Sequence, residues 1–264
     1  MSGMTKEFYG RQEIPREEIE RMKAIEYPAY VSETLLSSID LNEKKVLDAG
    51  AGPNPKLAEF IDRKEGMYIP LDLRTDVLAE MKDKLEAEKV PFHGVKADMR
   101  QLPFADGSFN VVHERFVLMN ITKESRKQAL EELMRVGKEK LVLLEYNWRT
   151  LRSTKNPEMA ERFRELAFKL FQKFSTDPYM GEQLGDLVKE IDPDSKYSIQ
   201  HFERKEDVAN TPEVILNLKV FYNAAKNVLK DETFAADLQD LIDELEKSPI
   251  ALIPPEIVAA IVEK

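Results

Sequence analysis

The sequence predicts an α/β fold, a doubly wound and mainly parallel sheet with helices on both faces. Three observations predict it. Short apolar runs alternate with amphipathic helical stretches between residues 45 and 145, the pattern of right-handed βαβ crossovers. Those runs are not interrupted by alternating polar residues, as strands covered on both faces require. Four of them end in polar residues, Asp48, Asp72, Asp98 and His113-Glu114, at the strand ends where such sheets bind ligands.

Residues 1–14 are polar and carry no periodic pattern. A helix is predicted over 15–26, with Pro15 at its first position and Ile19, Met22 and Ile25 on one stripe. A second follows at 29–39, with Val31, Leu35, Leu36 and Ile39 inward. Lys45-Val46-Leu47-Asp48 is a strand that runs into the turn cluster Ala49 to Pro55 and a helix at 56–62. Met67 to Leu71 is a strand ending at Asp72, followed by a helix at 75–88. Phe92 to Ala97 and Phe109 to Val112 are strands, 123–136 is a helix, and Lys140 to Leu144 is a strand running on to Glu145. After Tyr146 helical spacing dominates, at 157–174, 180–191, 212–229 and 232–247, with an extended stretch at 196–204. Glu256 to Val262 reads as a strand, because its β-branched residues follow the helix-breaking pair Pro254-Pro255. The chain therefore divides into an N-terminal helical cap (1–40), a ligand-binding core (41–150) and a helical region carrying the last extended segments (151–264).

Composition narrows the function. With 39 basic and 49 acidic residues in 264 the chain carries −10, which repels a phosphate backbone and argues against broad nucleic-acid binding. There is no cysteine, so disulfides, thiolate nucleophiles and cysteine metal sites are excluded. The three histidines, His93, His113 and His201, lack the spacing of a helical metal pair, and no metal is expected. No apolar run is long enough to cross a membrane and the first residues are too charged for a signal peptide, so a cytoplasmic protein is expected.

The chemistry concentrates at the strand ends. Gly50 and Gly52 suit a backbone that passes close to a ligand, and the helix behind them opens with amides able to hold a polar group. Asn54 stands where a third glycine is usual, and asparagine tolerates positive φ. Asp72 ends the second strand, where an acid accepts hydrogen bonds from ribose hydroxyls; it could equally cap the helix that follows. Asp98 can accept from an exocyclic amine, and Met99 can pack on a flat base or in the core.

These residues resemble the class I S-adenosylmethionine-dependent methyltransferases. Val46-Leu47-Asp48-Ala49-Gly50-Ala51-Gly52 looks like their motif I, and Leu71-Asp72-Leu73 like the end of their second strand. The block from Ala97-Asp98-Met99 through Leu102-Pro103-Phe104 to Phe109-Asn110-Val111-Val112 is similar to their D-A-x-x-L-P-F-x-D-x-S-F-D-x-V pattern. The resemblance spans roughly 30–150 and is strongest for the branch that methylates small molecules. It implies a Rossmann-like methyltransferase fold of seven strands with a reversed last strand, 196–204 and 256–262 supplying the sixth and seventh. It implies S-adenosyl-L-methionine as cofactor, with Asp48, Gly50 and Gly52 along its methionine part, Asp72 at the ribose, Asp98 and Met99 at the adenine, and Ala51, Asn54 and Leu73 also among the binding residues. It places His113 at the methyl end. Asn54, Asn110 and the shortened turn Val136 to Lys140 depart from the pattern.

The expected reaction is in-line methyl transfer to a small-molecule acceptor. His113 is the expected catalytic base if the acceptor must lose a proton, with Glu114, Glu145 and Tyr146 as further candidates. Arg115 could hold an acidic acceptor, and Glu145-Tyr146-Asn147-Trp148-Arg149 could form an acceptor wall. The helices at 157–174 and 207–247 read as insertions forming a lid, with Phe163, Phe168, Phe171, Phe174, Phe221 and Tyr222 as its core, and Tyr9 or Arg11 is expected to close over the donor. Alternatives are an RNA or protein methyltransferase, a non-catalytic binder of the same ligand, or a nicotinamide-dependent oxidoreductase. Asn54-Pro55 interrupts the glycine spacing that the last of these needs.

Overall fold

The computed structural model describes residues 16–24, 27–205, 211–248 and 250–264. The expected contributions of Tyr9 and Arg11 fall outside these residues.

Seven strands form one sheet: β1 (Lys45–Ala49), β2 (Met67–Asp72), β3 (Val95–Lys96), β4 (Phe109–Arg115), β5 (Gly137–Asn147), β6 (Lys196–Phe202) and β7 (Glu256–Glu263). Their spatial order is β3-β2-β1-β4-β5-β7-β6. Strands β1 to β5 are mutually parallel, and β7 runs antiparallel between β5 and β6. The order reverses between β1 and β4, which opens a crevice at their carboxyl ends.

Successive strand residues face opposite sides, so each apolar run feeds two cores. Val46, Val111, Val142 and Leu144 pack with α2 (Tyr27–Leu36), α3 (Lys56–Asp62) and α4 (Thr75–Glu88). Leu47, Val112, Leu141 and Leu143 pack on the other side with α5 (Lys123–Val136), α6 (Pro157–Phe174) and α7 (Met180–Ile191). That second core continues into α8 (Thr211–Asn223), a π-helical extension at Ala224–Leu229, and α9 (Glu232–Lys247).

The N-terminal α1 (Arg16–Ala24) packs on α8, and Arg21 Nη1 donates to Asn217 Oδ1 at 3.2 Å. Helices α1 and α8 thus meet beside the crevice. Helix α7, which lies between the helices expected to form a lid, packs against the sheet. A Cβ added at Gly181 would lie 3.0 Å from the Glu145 carbonyl oxygen, so the helix sits almost on the backbone of β5.

Three other differences have local causes. The strand expected at 92–97 shrinks to Val95–Lys96, because this edge segment pairs only with Leu71 and Asp72 of β2. Strand β5 starts at Gly137, directly after α5, so the shortened turn is no loop at all. It extends to Asn147 because β7 pairs along it from Lys140 to Asn147. No described helix is long and apolar enough to cross a membrane.

Candidate functional site

A cavity of about 280 Å³ opens at the carboxyl ends of the parallel strands. Its lining includes Gly50, Ala51, Gly52, Asn54, Asp72, Leu73, Asp98 and Met99. Eight of the ten residues singled out for cofactor binding therefore share one wall. Asp48 and His113 are the exceptions.

The glycine turn is built from within. The Gly50 and Ala51 amides both donate to the Leu71 carbonyl, at 2.7 and 3.0 Å, and the Gly52 amide donates to Asp72 Oδ2 at 3.1 Å. These turn amides are thus already engaged inside the protein. Gly50 and Gly52 both have positive φ, +78° and +63°, for different reasons. A Cβ on Gly50 would meet Val117 Cγ2 at 2.1 Å, so the protein itself fills that space. A Cβ on Gly52 would meet only Met22 Sδ at 4.0 Å, so that position faces open room. Asn54 does not supply a positive φ. It is buried, and its Oδ1 accepts from the Lys56 amide at 3.0 Å, stitching the turn to the start of α3.

Asp72 joins this turn to β2. Its Oδ1 accepts from the Arg74 amide at 3.0 Å while Oδ2 holds Gly52. Burial raises its pKa and the two amides oppose the rise. Each carboxylate oxygen keeps a further lone pair for a hydroxyl donor. Asp98 is less free than expected: Arg100 clamps both its oxygens, Nε at 2.9 and 3.0 Å and Nη2 at 2.6 Å. Partial burial works against ionisation there, but Arg100 wins and the pKa falls.

His113 corrects the expected catalytic base. It is fully buried and absent from the cavity lining. Nδ1 lies 2.7 Å from Asp48 Oδ1, and Nε2 lies 3.0 Å from Ser32 Oγ on α2. Asp48 is equally buried, and its Oδ2 accepts from the Tyr68 hydroxyl at 2.6 Å. Asp48 and His113 are register partners on adjacent strands and face the α2 side, beneath the cavity floor. Burial alone would raise the Asp48 pKa, yet His113, Arg115 and Tyr68 together lower it. The group is a structural knot tying β1, β2, β4 and α2 together.

The rest of the lining was harder to foresee. The turn after β4 contributes Phe116, Val117, Met119, Asn120 and Ile121, and α1 contributes Arg21 and Met22. Tyr146 and Trp148 close the far end, as the aromatic cluster after β5 suggested, with Phe171 of α6 and Phe221 of α8 from the lid. Phe163 and Phe174 stay in the lid core. Phe116 stacks on Tyr146 at 3.9 Å between ring centres, and Trp148 meets Tyr146 and Phe171 edge-on at 6.0 and 5.0 Å. Arg115 also lines the cavity, and its Nη1 donates to Ser32 Oγ at 3.3 Å.

Comparisons with known proteins agree with this geometry. Residues 46–140 match the family described as "Methyltransferase domain". The chain is 33% identical over 110 residues to the ubiquinone/menaquinone biosynthesis C-methyltransferase UbiE of Vibrio campbellii, covering 39% of this chain and 42% of that protein. The protein of the same name from Idiomarina loihiensis is 32% identical over 109 residues, covering 39% and 43%. The chain thus spans less than half the length of these curated relatives.

Among solved structures, the YcgJ protein of Bacillus subtilis superposes with a TM-score of 0.61 at 14% identity, over 91% of this chain and 99% of that one. A putative methyltransferase from Bacillus halodurans gives 0.60 at 15% identity, over 89% and 99%. These likenesses show the fold. The sheet order, the cavity at its switch point and the match of residues 46–140 to a methyltransferase domain all agree with the resemblance that the strand-end motifs carry.

Proposed function

We propose that the protein transfers a methyl group from S-adenosyl-L-methionine to a small, mainly apolar acceptor. The observation that carries this reading is the two-sided cavity. One side holds the glycine turn, Asp72, Asp98 and Met99; the other is walled by Tyr146, Trp148, Phe171 and Phe221. The residues present fit the cofactor: the open space at Gly52 admits a close-lying ligand, and buried Asp72 keeps lone pairs for a ribose. Residues 41–150 would hold the donor, and the 1–40 cap and 151–264 lid would enclose the acceptor.

When bound, the cofactor supplies a methyl group on a positively charged sulfur. The chain's own contribution is alignment and exclusion of water. Asp72 orients the ribose. Met99 and Leu73 cover the flat base. The aromatic wall keeps water from the acceptor and favours an apolar or aromatic body. Arg115 is one of the cations lining the cavity and would meet an anionic group of donor or acceptor. The names of the curated relatives support carbon as the accepting atom. Of the candidate bases, Tyr146 lines the cavity and His113 does not.

Titration calorimetry with S-adenosylhomocysteine and NAD, followed by a methyl-transfer screen of small aromatic acceptors, tests the reading. Binding of the first ligand alone is expected; preference for NAD would reject the proposal. Asp72→Ala is expected to weaken S-adenosylhomocysteine binding by about 1–3 kcal/mol, the scale of lost hydrogen bonds to a charged group. An unchanged dissociation constant would remove Asp72 from the ribose site.

A further inference from the structure

Behind the turn that follows β4 lie two carboxyl groups that methyl transfer does not use. Glu114 and Glu145 are fully buried, on the sheet face opposite His113. Glu114 Oε1 accepts from the Val117 amide at 2.6 Å and the Leu118 amide at 3.1 Å. Glu145 Oε1 accepts from the Met119 amide at 3.0 Å. Three successive amides of one turn are therefore held by two acids. The two side chains act on each other, and both Oε2 atoms are buried without a hydrogen-bond partner. Two buried carboxyl groups that act on each other disfavour double ionisation and favour keeping one proton.

The surroundings fix the same turn. Arg126 of α5 donates through Nε to the Leu118 and Ile121 carbonyls, at 3.0 and 3.1 Å. Arg126 is also the cation that acts on Glu145, and its own ion pair is with Asp177 at 2.8 Å. The Asp177 amide donates to the Met119 carbonyl at 2.8 Å, which links the turn to the α6–α7 connection. From β1, the charge of Asp48 acts on Glu114. On its outer side the turn presents Val117 to Gly50 and lines the cavity with Phe116, Val117 and Met119.

We propose that Glu114 and Glu145 are positioning residues: sharing one proton, they hold residues 117–119 as the inner wall of the cavity, and ionisation of the pair loosens that wall and its hold on ligand. Burial first, and the neighbouring acid after it, push Glu145 well above the usual carboxylate range. Burial raises Glu114 to about 7. The wall is then sensitive to pH close to neutrality.

The chain's single tryptophan reports on it without any ligand. Trp148 packs on Tyr146, which stacks on Phe116 of the turn. Emission of the ligand-free protein is expected to change with a midpoint near neutrality. Affinity for S-adenosylhomocysteine is expected to fall about tenfold from about pH 6 to about pH 8.5, the change that one unit of pKa difference between free and bound forms produces. In Glu145→Gln the amide oxygen still accepts from Met119 and the amide nitrogen replaces the shared proton. The emission transition should vanish and affinity should stay at its acid value.

A flat wild-type profile overturns the proposal, as does a Glu145→Gln profile with an unshifted midpoint. Should that variant not fold, carbon-13 titration of glutamate carboxyls in the wild type decides. Two groups titrating above about pH 6 support the proposal, and ordinary values throughout overturn it. The ligand arm rests on the function proposed above and the emission arm does not. S-adenosylhomocysteine binding at no pH would therefore reject that function and leave the emission to judge the pair.

Discussion

Gly50→Ala is expected to unmake the glycine turn and with it ligand binding. The added methyl would sit 2.1 Å from Val117 Cγ2, at a φ of +78° that L-residues rarely adopt. The backbone conformation costs about 1–2 kcal/mol and the overpacking about 1–3 more. Val117 cannot simply retreat, since its amide is held by Glu114. Calorimetry should show S-adenosylhomocysteine affinity reduced by about 100-fold or more, and unfolding should occur several degrees lower. Gly52→Ala is the contrasting case. Its φ is also positive, but the methyl would meet only Met22 Sδ at 4.0 Å. That variant should fold with a smaller loss of stability and still lose affinity. Equal stability losses in the two variants would show that Val117 does not set the requirement at Gly50.

Asp48→Ala is expected to cost about 2–6 kcal/mol of stability, because two buried partners each lose an acceptor at about 1–3 kcal/mol. Tyr68 loses the oxygen it donates to, and His113 and Arg115 lose the charge that faces them. The pH dependence has a definite sign. The folded pKa of Asp48 lies below the usual value. Its contribution is therefore present above the unfolded pKa of about 4 and lost as pH falls through the folded value. The buried glutamates act oppositely. Their raised pKa values favour the fold most below the unfolded pKa of about 4.5, and that advantage is lost as pH rises through about 7. Urea unfolding across pH should show stability falling toward both extremes in the wild type. Asp48→Ala should flatten the acid limb alone. An unchanged acid limb would reject the role assigned to Asp48.

The fold was legible because its signals are local. Helices α3, α4, α5, α6, α7 and α9 fall on their predicted spans, each set by apolar spacing and by the turns that bound it. Strand ends depend on partners distant in sequence, which explains why β3 came out short and β5 long. The cavity wall was legible where chemistry selects a residue type, at Gly52, Asp72 and Met99. Motif position did not distinguish a residue facing the cavity from one facing away. The sequence places His113 and Asp72 alike at strand ends, yet β4 runs on to Arg115 and the pleat turns His113 toward α2. Gly50 and Gly52 look alike in sequence, and only the approach of Val117 separates them. The acid pair stayed hidden for a similar reason. Glu114 and Glu145 are ordinary charged residues until β4 and β5 are set side by side.

The placing of β7 between β5 and β6 has a consequence for synthesis. Each of β2 to β5 can dock as it leaves the ribosome, because a neighbour already made is waiting for it. Strand β6 joins the sheet only through β7, which is translated more than fifty residues later. Until then β6 exposes both its backbone edges, and β5 offers β6 a template that does not belong to it. Nascent chains stalled before residue 256 should therefore bind chaperones, and release of the last strand should end that association.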